Sequence, residues 1–172
     1  RVHEDTLERV SSRPSGGAHP CFVNINEKGY VLTANYTGGS IGLLRMDREG
    51  GLTGLLDISQ HRGKGTTARQ QAPHAHSAWF DHASEKVVAA DLGTNELWFS
   101  RLDTSSHQLV PASPARLAME EGAGPRHLAF HPNKKWIYVI NELNSTITLV
   151  RKNNTGAYSK AASASTLPSG FS

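Results

Sequence analysis

The chain of 172 residues contains a single cysteine, Cys21, which excludes an internal disulfide. No apolar run approaches the roughly 20 residues that a membrane-spanning helix needs, so no membrane partner is expected. The formal net charge of +3 comes from interspersed acids and bases that leave no basic stripe, and nucleic acid is not expected as a partner either. Helical apolar stripes are missing throughout. The sequence opens at Arg1 with neither Met nor a charged-then-apolar leader and stops in "TLPSGFS", a stretch that ordinarily separates elements, so both ends read as cut. The expected compartment is the cytoplasm, with an organelle lumen as the alternative. Three sequons, at Asn35, Asn144 and Asn153, read as coincidences of turn sequence. Cys21 lies in the alternating run "CFVNI", the setting of a buried structural thiol rather than a nucleophile.

What is present is a β pattern that repeats. Short runs "YVLTAN", "SIGLLRM", "KVVAAD", "ELWFSRL", "WIYVIN" and "TITLV" are bounded by Gly, Asn, Asp and Pro. Aligning Asn35, Asp91 and Asn141, at offsets of 56 and 50 residues, brings Ile41, Leu97 and Ile147 into register without a gap. Asp47, Asp103 and Asn153 follow in register. Upstream, Phe22, Ala78 and Leu128 stand equally far before the anchor, each opening a run that ends in a polar turn: "NEKG", "HASEK" or "HPNKK". A repeat of about 50 residues built from short strands is the pattern of a β-propeller blade. The expected fold is all-β, a partial β-propeller over residues 1–172. It comprises the end of one blade at about 1–16, with a leading strand around "DTLERV", then repeats at about 17–71, 72–122 and 123–172. Propellers close with about four to eight blades, so the remaining blades, on this chain or another, are expected partners.

In a blade the first strand lines the central channel and the second returns antiparallel, so the start of one and the end of the other share a mouth. In the third repeat "PRHLAFHPNKKWIYVINEL" folds about Lys134 and sets Arg126 opposite Glu142; the position matching Arg126 in the second repeat is His76. His, Arg and Glu thus converge on one mouth, a concave site of the kind small ligands use. Arg126 is forked and always charged, and suits an oxyanion, a carboxylate or a phosphate. Glu142 and His76 can take and return protons. Taken alone, an Arg and a Glu facing across a hairpin are more often an ordinary cross-strand ion pair.

Asn35, Tyr36, Asp91 and Asn141, at or beside the ends of second strands, are candidate substrate contacts, with turn capping as the other reading. His74 and His76, at i and i+2, form half of a familiar zinc site. Strand alternation turns His127 away from the channel position of Arg126, so no metal and no cofactor are expected. His74 instead anchors the turn after Pro73 and joins the substrate-binding candidates, while His82, His127 and His131 anchor their own turns. The basic loop "HRGKGTTARQQ" reads either as a gate or phosphate contact at the mouth, or as a solvated linker.

Three stretches, "GGAHPCFVNINEKGYVLTANYTGGSIGLL", "RQQAPHAHSAWFDHASEKVVAADLGTNELW" and "GAGPRHLAFHPNKKWIYVINELNSTITLV", resemble the seven-bladed lactonase propellers, a family that includes propeller-type 6-phosphogluconolactonases and carboxy-muconate lactonizing enzymes. The resemblance runs through about residues 16 to 150. It implies catalytic positions at His76 in "PHAHS", Arg126 in "GPRH" and Glu142 in "NEL", with a further arginine from a later blade. It also implies hydrolysis of a sugar lactone, with muconate-type lactonizing chemistry as a relative. Lactone opening needs an activated water, a stabilised tetrahedral oxyanion and a proton for the departing alkoxide. The reading from another class is a propeller fragment that does no chemistry and serves as an interaction module in a larger assembly.

Overall fold

The computed structural model describes residues 2–81 and 85–171; His82 and the middle of the "HASEK" turn lie outside them. The described residues form strands and no helix, so no helix is long and apolar enough to cross a membrane. Three antiparallel four-stranded sheets follow one another in chain order. The first holds β1 (Pro20–Ile25), β2 (Tyr30–Asn35), β3 (Ser40–Arg45) and β4 (Asp57–Gln60). The second holds β5 (Ala75–Phe80), β6 (Lys86–Asp91), β7 (Glu96–Asp103) and β8 (Gln108–Ala118). The third holds β9 (Pro125–Phe130), β10 (Trp136–Asn141), β11 (Thr146–Lys152) and β12 (Tyr158–Ser165).

The first strands of the sheets are neighbours. Cys21 Sγ on β1 lies 3.7 Å from the carbonyl oxygen of Ala75 and 3.4 Å from that of His76, and Ser77 Oγ on β5 donates to the carbonyl of Arg126 on β9 at 2.8 Å. The sheets are thus successive propeller blades, first strands innermost.

Their packing follows from the strand period of two. On β6, Val87 and Ala89 face blade 1 and pack with Tyr30, Leu32 and Leu43, whereas Val88 and Ala90 face blade 3 and pack with Leu128, Ile137 and Val139. A strand buried on both faces reads as the continuous apolar run "KVVAA". Polar pins cross the same seams: Asp57 accepts the Leu109 N–H at 2.7 Å between blades 1 and 2, and Lys152 meets Asp81 at 2.9 Å between blades 2 and 3. The outward faces of blades 1 and 3 stay apolar and exposed, at Val23 and Ile25 on one side and Ile140 and Ile147 on the other.

Hairpin turns are set by side-chain caps. Asn26 Oδ1 accepts from Lys28 N and Tyr30 N, both at 3.0 Å, ahead of a Gly29 whose φ of 79° suits glycine. Asn133 does the same for Lys135 N and Trp136 N, at 2.9 and 3.2 Å.

The structure corrects three local expectations. "DTLERV" forms no strand; only an isolated bridge between Val2 and Leu7 occurs there. Cys21 is exposed rather than buried, because β1 borders the open channel, although its sulfur is tucked against backbone carbonyls. Phe22 is not the counterpart of Ala78 and Leu128. Val23 is, because the first hairpin closes with Ile25 opposite Val31, one residue tighter than Phe80 opposite Val87 and Phe130 opposite Ile137.

Candidate functional site

The residues that anchor the repeat are buried and hydrogen-bonded. Asn35, Asp91 and Asn141 are fully buried at the ends of second strands. Asn35 Oδ1 accepts from Ser15 Oγ at 2.7 Å, and its Nδ2 donates to the Ser15 carbonyl at 3.1 Å. Asp91 accepts from His61 Nδ1 at 2.6 Å and from the N–H groups of His74 and Thr94, each at 2.8 Å. Asn141 Nδ2 donates to Thr146 and Thr148 hydroxyls at 2.9 Å. These enclosed side chains fit the turn-capping reading of the three, with Asn141 Oδ1 left without a hydrogen-bond partner among the described residues.

The candidate catalytic residues His76 and Arg126 sit one layer inward, on an irregularity shared by the blades. In each first hairpin the ladder skips one residue: Pro20 pairs with Asn35 and Phe22 with Ala34; Ala75 with Asp91 and Ser77 with Ala90; Pro125 with Asn141 and His127 with Ile140. The unpaired extra residues are Cys21, His76 and Arg126. Such β-bulges re-aim a side chain and restart the alternation behind it. That restart corrects the expected orientation of His127: its ring lies edge-on to His76, with centroids 5.0 Å apart, instead of facing away.

Arg126 and Glu142 meet across the mouth, Nε to Oε2, at 3.0 Å. The other carboxylate oxygen, Oε1, is held at 3.1 Å by Nη2 of Arg69, which also donates to the Tyr36 hydroxyl at 3.1 Å. Tyr36 stacks on His74, with centroids 4.5 Å apart and ring planes 11° apart, and presents its ring edge-on to His76 at 5.6 Å. His74 Nδ1 donates to the Tyr36 carbonyl at 3.1 Å. His74, Tyr36, His76, Arg126 and Glu142 therefore share one mouth.

Arg69 belongs to the basic loop, and its neighbour explains its placement. Gln70 is fully buried; its Nε2 donates to the Leu92 carbonyl at 2.9 Å and to Asn95 Oδ1 at 3.1 Å, which bolts the loop to the turn after β6. A Cβ on Gly65 would come within 2.6 Å of the Gln70 side chain, so glycine is required there for the loop to fold over it. The gate-or-linker alternative resolves into a fixed loop that delivers one guanidinium to the mouth.

His76 is buried and its Nδ1 has no hydrogen-bond partner. Burial pushes its pKa below the ordinary 6.5 and the positive charge of Arg126 adds to the effect, against opposing pulls from its own backbone and, more weakly, from Glu142. Burial, and then its neighbours His76 and Arg126, likewise lower His127. Burial raises the Cys21 thiol, which keeps it protonated and a poor nucleophile. Among the described residues no cluster of three or more His, Cys, Asp and Glu side chains is arranged to hold a metal ion. A cleft lined by Asn26, Phe80, Asp81 and Leu102 lies at the opposite end of the hairpins and holds none of these groups.

The histidines carry a pH prediction with a definite sign. Because the folded-state pKa lies below 6.5, the unfolded chain takes up the proton first as pH falls. Their contribution to stability is therefore full above about 6.5 and is lost as pH drops below it. In an NMR titration the His76 ring should show a midpoint under 6.5, and Arg126→Ala should raise that midpoint by removing a neighbouring positive charge. A midpoint at or above 6.5 would contradict the buried environment.

The pattern that describes the family "Lactonase, 7-bladed beta-propeller" matches residues 1–172. The chain belongs to this lactonase propeller family. A 6-phosphogluconolactonase of Bacillus subtilis (strain 168) is 34% identical over 163 residues, covering 90% of this chain and 44% of the relative. One from Xenorhabdus nematophila is 30% identical over 168 residues, covering 97% and 47%. Among solved structures, the Pseudomonas aeruginosa periplasmic gluconolactonase PpgL superposes with a TM-score of 0.88 at 24% identity, over 97% of this chain and 48% of that one, a likeness of fold. This lactonase-family chain spans under half the length of the curated relatives it matches.

Proposed function

We propose that the whole protein hydrolyses 6-phosphogluconolactone or a closely related sugar lactone at the mouth built by His76, Arg126 and Glu142. The observation that carries this reading is the joint placement of a buried imidazole, its Nδ1 without a hydrogen-bond partner, on one blade and a guanidinium–carboxylate pair on the next. Glu142 is held against the Arg126 guanidinium, whereas His76 is held neutral by burial, so His76 is the base that takes the proton of the attacking water. The Nη groups of Arg126, which make no hydrogen bond within the described residues, face the oxygen that becomes negative as the carbonyl turns tetrahedral. The imidazolium then protonates the departing ring alkoxide, and the C–O bond of the lactone breaks. Glu142 fixes Arg126, and Tyr36 and His74 line the approach. Sugar phosphates do not cross membranes unaided, which favours the cytoplasm for a phosphorylated substrate. The exposed apolar faces of blades 1 and 3 are the surfaces against which further blades of a seven-bladed ring would pack.

The test is a stopped-flow assay of lactone opening by the full-length protein, with spontaneous hydrolysis subtracted because sugar δ-lactones open unaided in water. Opening of 6-phosphogluconolactone well above background is the expected result. A full-length protein that never exceeds background on phosphorylated or plain sugar lactones would leave the reading without support.

A further inference from the structure

The proton chemistry proposed above has no use for Arg69, yet the fold invests a bolted loop in holding it at the mouth. It comes from the connection between blades 1 and 2, and its Nη2 bridges the Tyr36 hydroxyl of blade 1 and Glu142 of blade 3. Its Nε and Nη1 make no hydrogen bond within the described residues, and Arg126 is likewise engaged through Nε alone. Two guanidinium groups therefore flank one carboxylate. The mouth carries a surplus positive charge and several donors in planar forks.

We infer that Arg69 is the specificity-determining residue that reads an oxyanionic substituent, phosphate or carboxylate, carried by the lactone away from its scissile ester, exchanging Glu142 Oε1 for oxygens of that group. This rests on the lactonase reading and names the substrate class its site selects. The exchange is favourable because the Arg69–Glu142 contact is solvent-exposed, with side chains 57% and 31% accessible, and such contacts hold weakly. A phosphate offers three acceptor oxygens to a fork that now uses a single nitrogen. The Tyr36 hydroxyl stays beside the exchanged group as a further donor. If Arg69 were only a strut for Glu142, its loss would slow every lactone alike.

The experiment compares wild type, Arg69→Ala and Arg69→Lys in the full-length protein. It measures kcat/KM for 6-phosphogluconolactone, a carboxylate-bearing lactone and uncharged glucono-δ-lactone, each corrected for spontaneous opening. Calorimetry measures binding of 6-phosphogluconate and gluconate. Arg69→Ala should lower the preference for an anionic over the uncharged lactone by about 10- to 100-fold, mostly through KM, the range for losing a hydrogen bond between charged groups. Whether the phosphorylated or the carboxylated lactone bears that loss identifies the substituent. Arg69→Lys should restore part of it, since an ammonium keeps the charge without the fork. An equal fall on charged and uncharged lactones, or no fall, overturns the inference while leaving the lactonase reading standing. If the wild type opens no lactone, that reading fails and the binding arm decides. Weaker binding of 6-phosphogluconate to Arg69→Ala than to wild type sustains the role of Arg69, and unchanged or absent binding overturns it.

Discussion

Arg126→Ala should lower kcat for lactone opening by on the order of 100-fold or more, the range seen when one preorganised oxyanion donor is removed. The free energy belongs to the transition state: the Nη donors have no partner among the described residues, so they are available to the oxygen on which charge develops. Folding should change little. The side chains of Arg126 and Glu142 are 43% and 31% exposed, and an ion pair this accessible to water contributes about 1 kcal/mol or less. Arg126→Lys should recover a fraction, because an ammonium supplies charge without the planar pair of donors. Stopped-flow rates together with urea denaturation separate the effects. A wild-type rate in Arg126→Ala, or a loss of rate matched by a loss of folding, would remove Arg126 from the chemistry.

Asp91→Ala should have the opposite signature, a loss of about 3 to 5 kcal/mol of stability, the cost of breaking a buried charged network from one side. Three donors converge on this fully buried carboxylate: the His61 ring at 2.6 Å and the backbone N–H groups of His74 and Thr94 at 2.8 Å. Removing it leaves all three unsatisfied in a dry site, where His61 is also stacked on Trp98 with ring centroids 4.1 Å apart. Asp91→Asn should cost far less, about 1 kcal/mol, since a carbonyl oxygen still accepts and the equivalent position is already Asn35 in blade 1 and Asn141 in blade 3. The urea midpoint of Asp91→Ala should fall by roughly 1 M or more. A shift as small as that of Asp91→Asn would mean that the network is solvated.

The inner three strands of each blade were legible because their side chains are buried and pattern themselves accordingly: "YVLTAN", "KVVAAD" and "WIYVIN" coincide with β2, β6 and β10. The fourth strands were not. β4 is short, β8 carries Pro111 and Pro114, and β12 is "YSKAASAS"; on these outer strands the inward positions are mostly half-buried and few hold large apolar residues, so the alternation is faint in the sequence. Arg126 and Glu142 could be paired from the hairpin alone, since counting outward from a turn locates opposed residues. The bulge at Arg126 is invisible to such counting, which is why His127 came out facing the wrong way. Arg69 was hidden for another reason: its position depends on a buried Gln70 one residue away, and a glutamine inside a polar loop carries no sign of being an anchor.

The skipped residue in each first hairpin also bears on how such a ring acquires new chemistry. Cys21, His76 and Arg126 occupy sockets that have no partner in the ladder, so their identity is uncoupled from the registry that holds the neighbouring residues in place. Three successive sockets display a thiol, an imidazole and a guanidinium on nearly interchangeable frames. A single substitution at one socket rewrites what the channel displays while the blade keeps its pairing, and the repertoire of the ring becomes combinatorial, one independent address per blade.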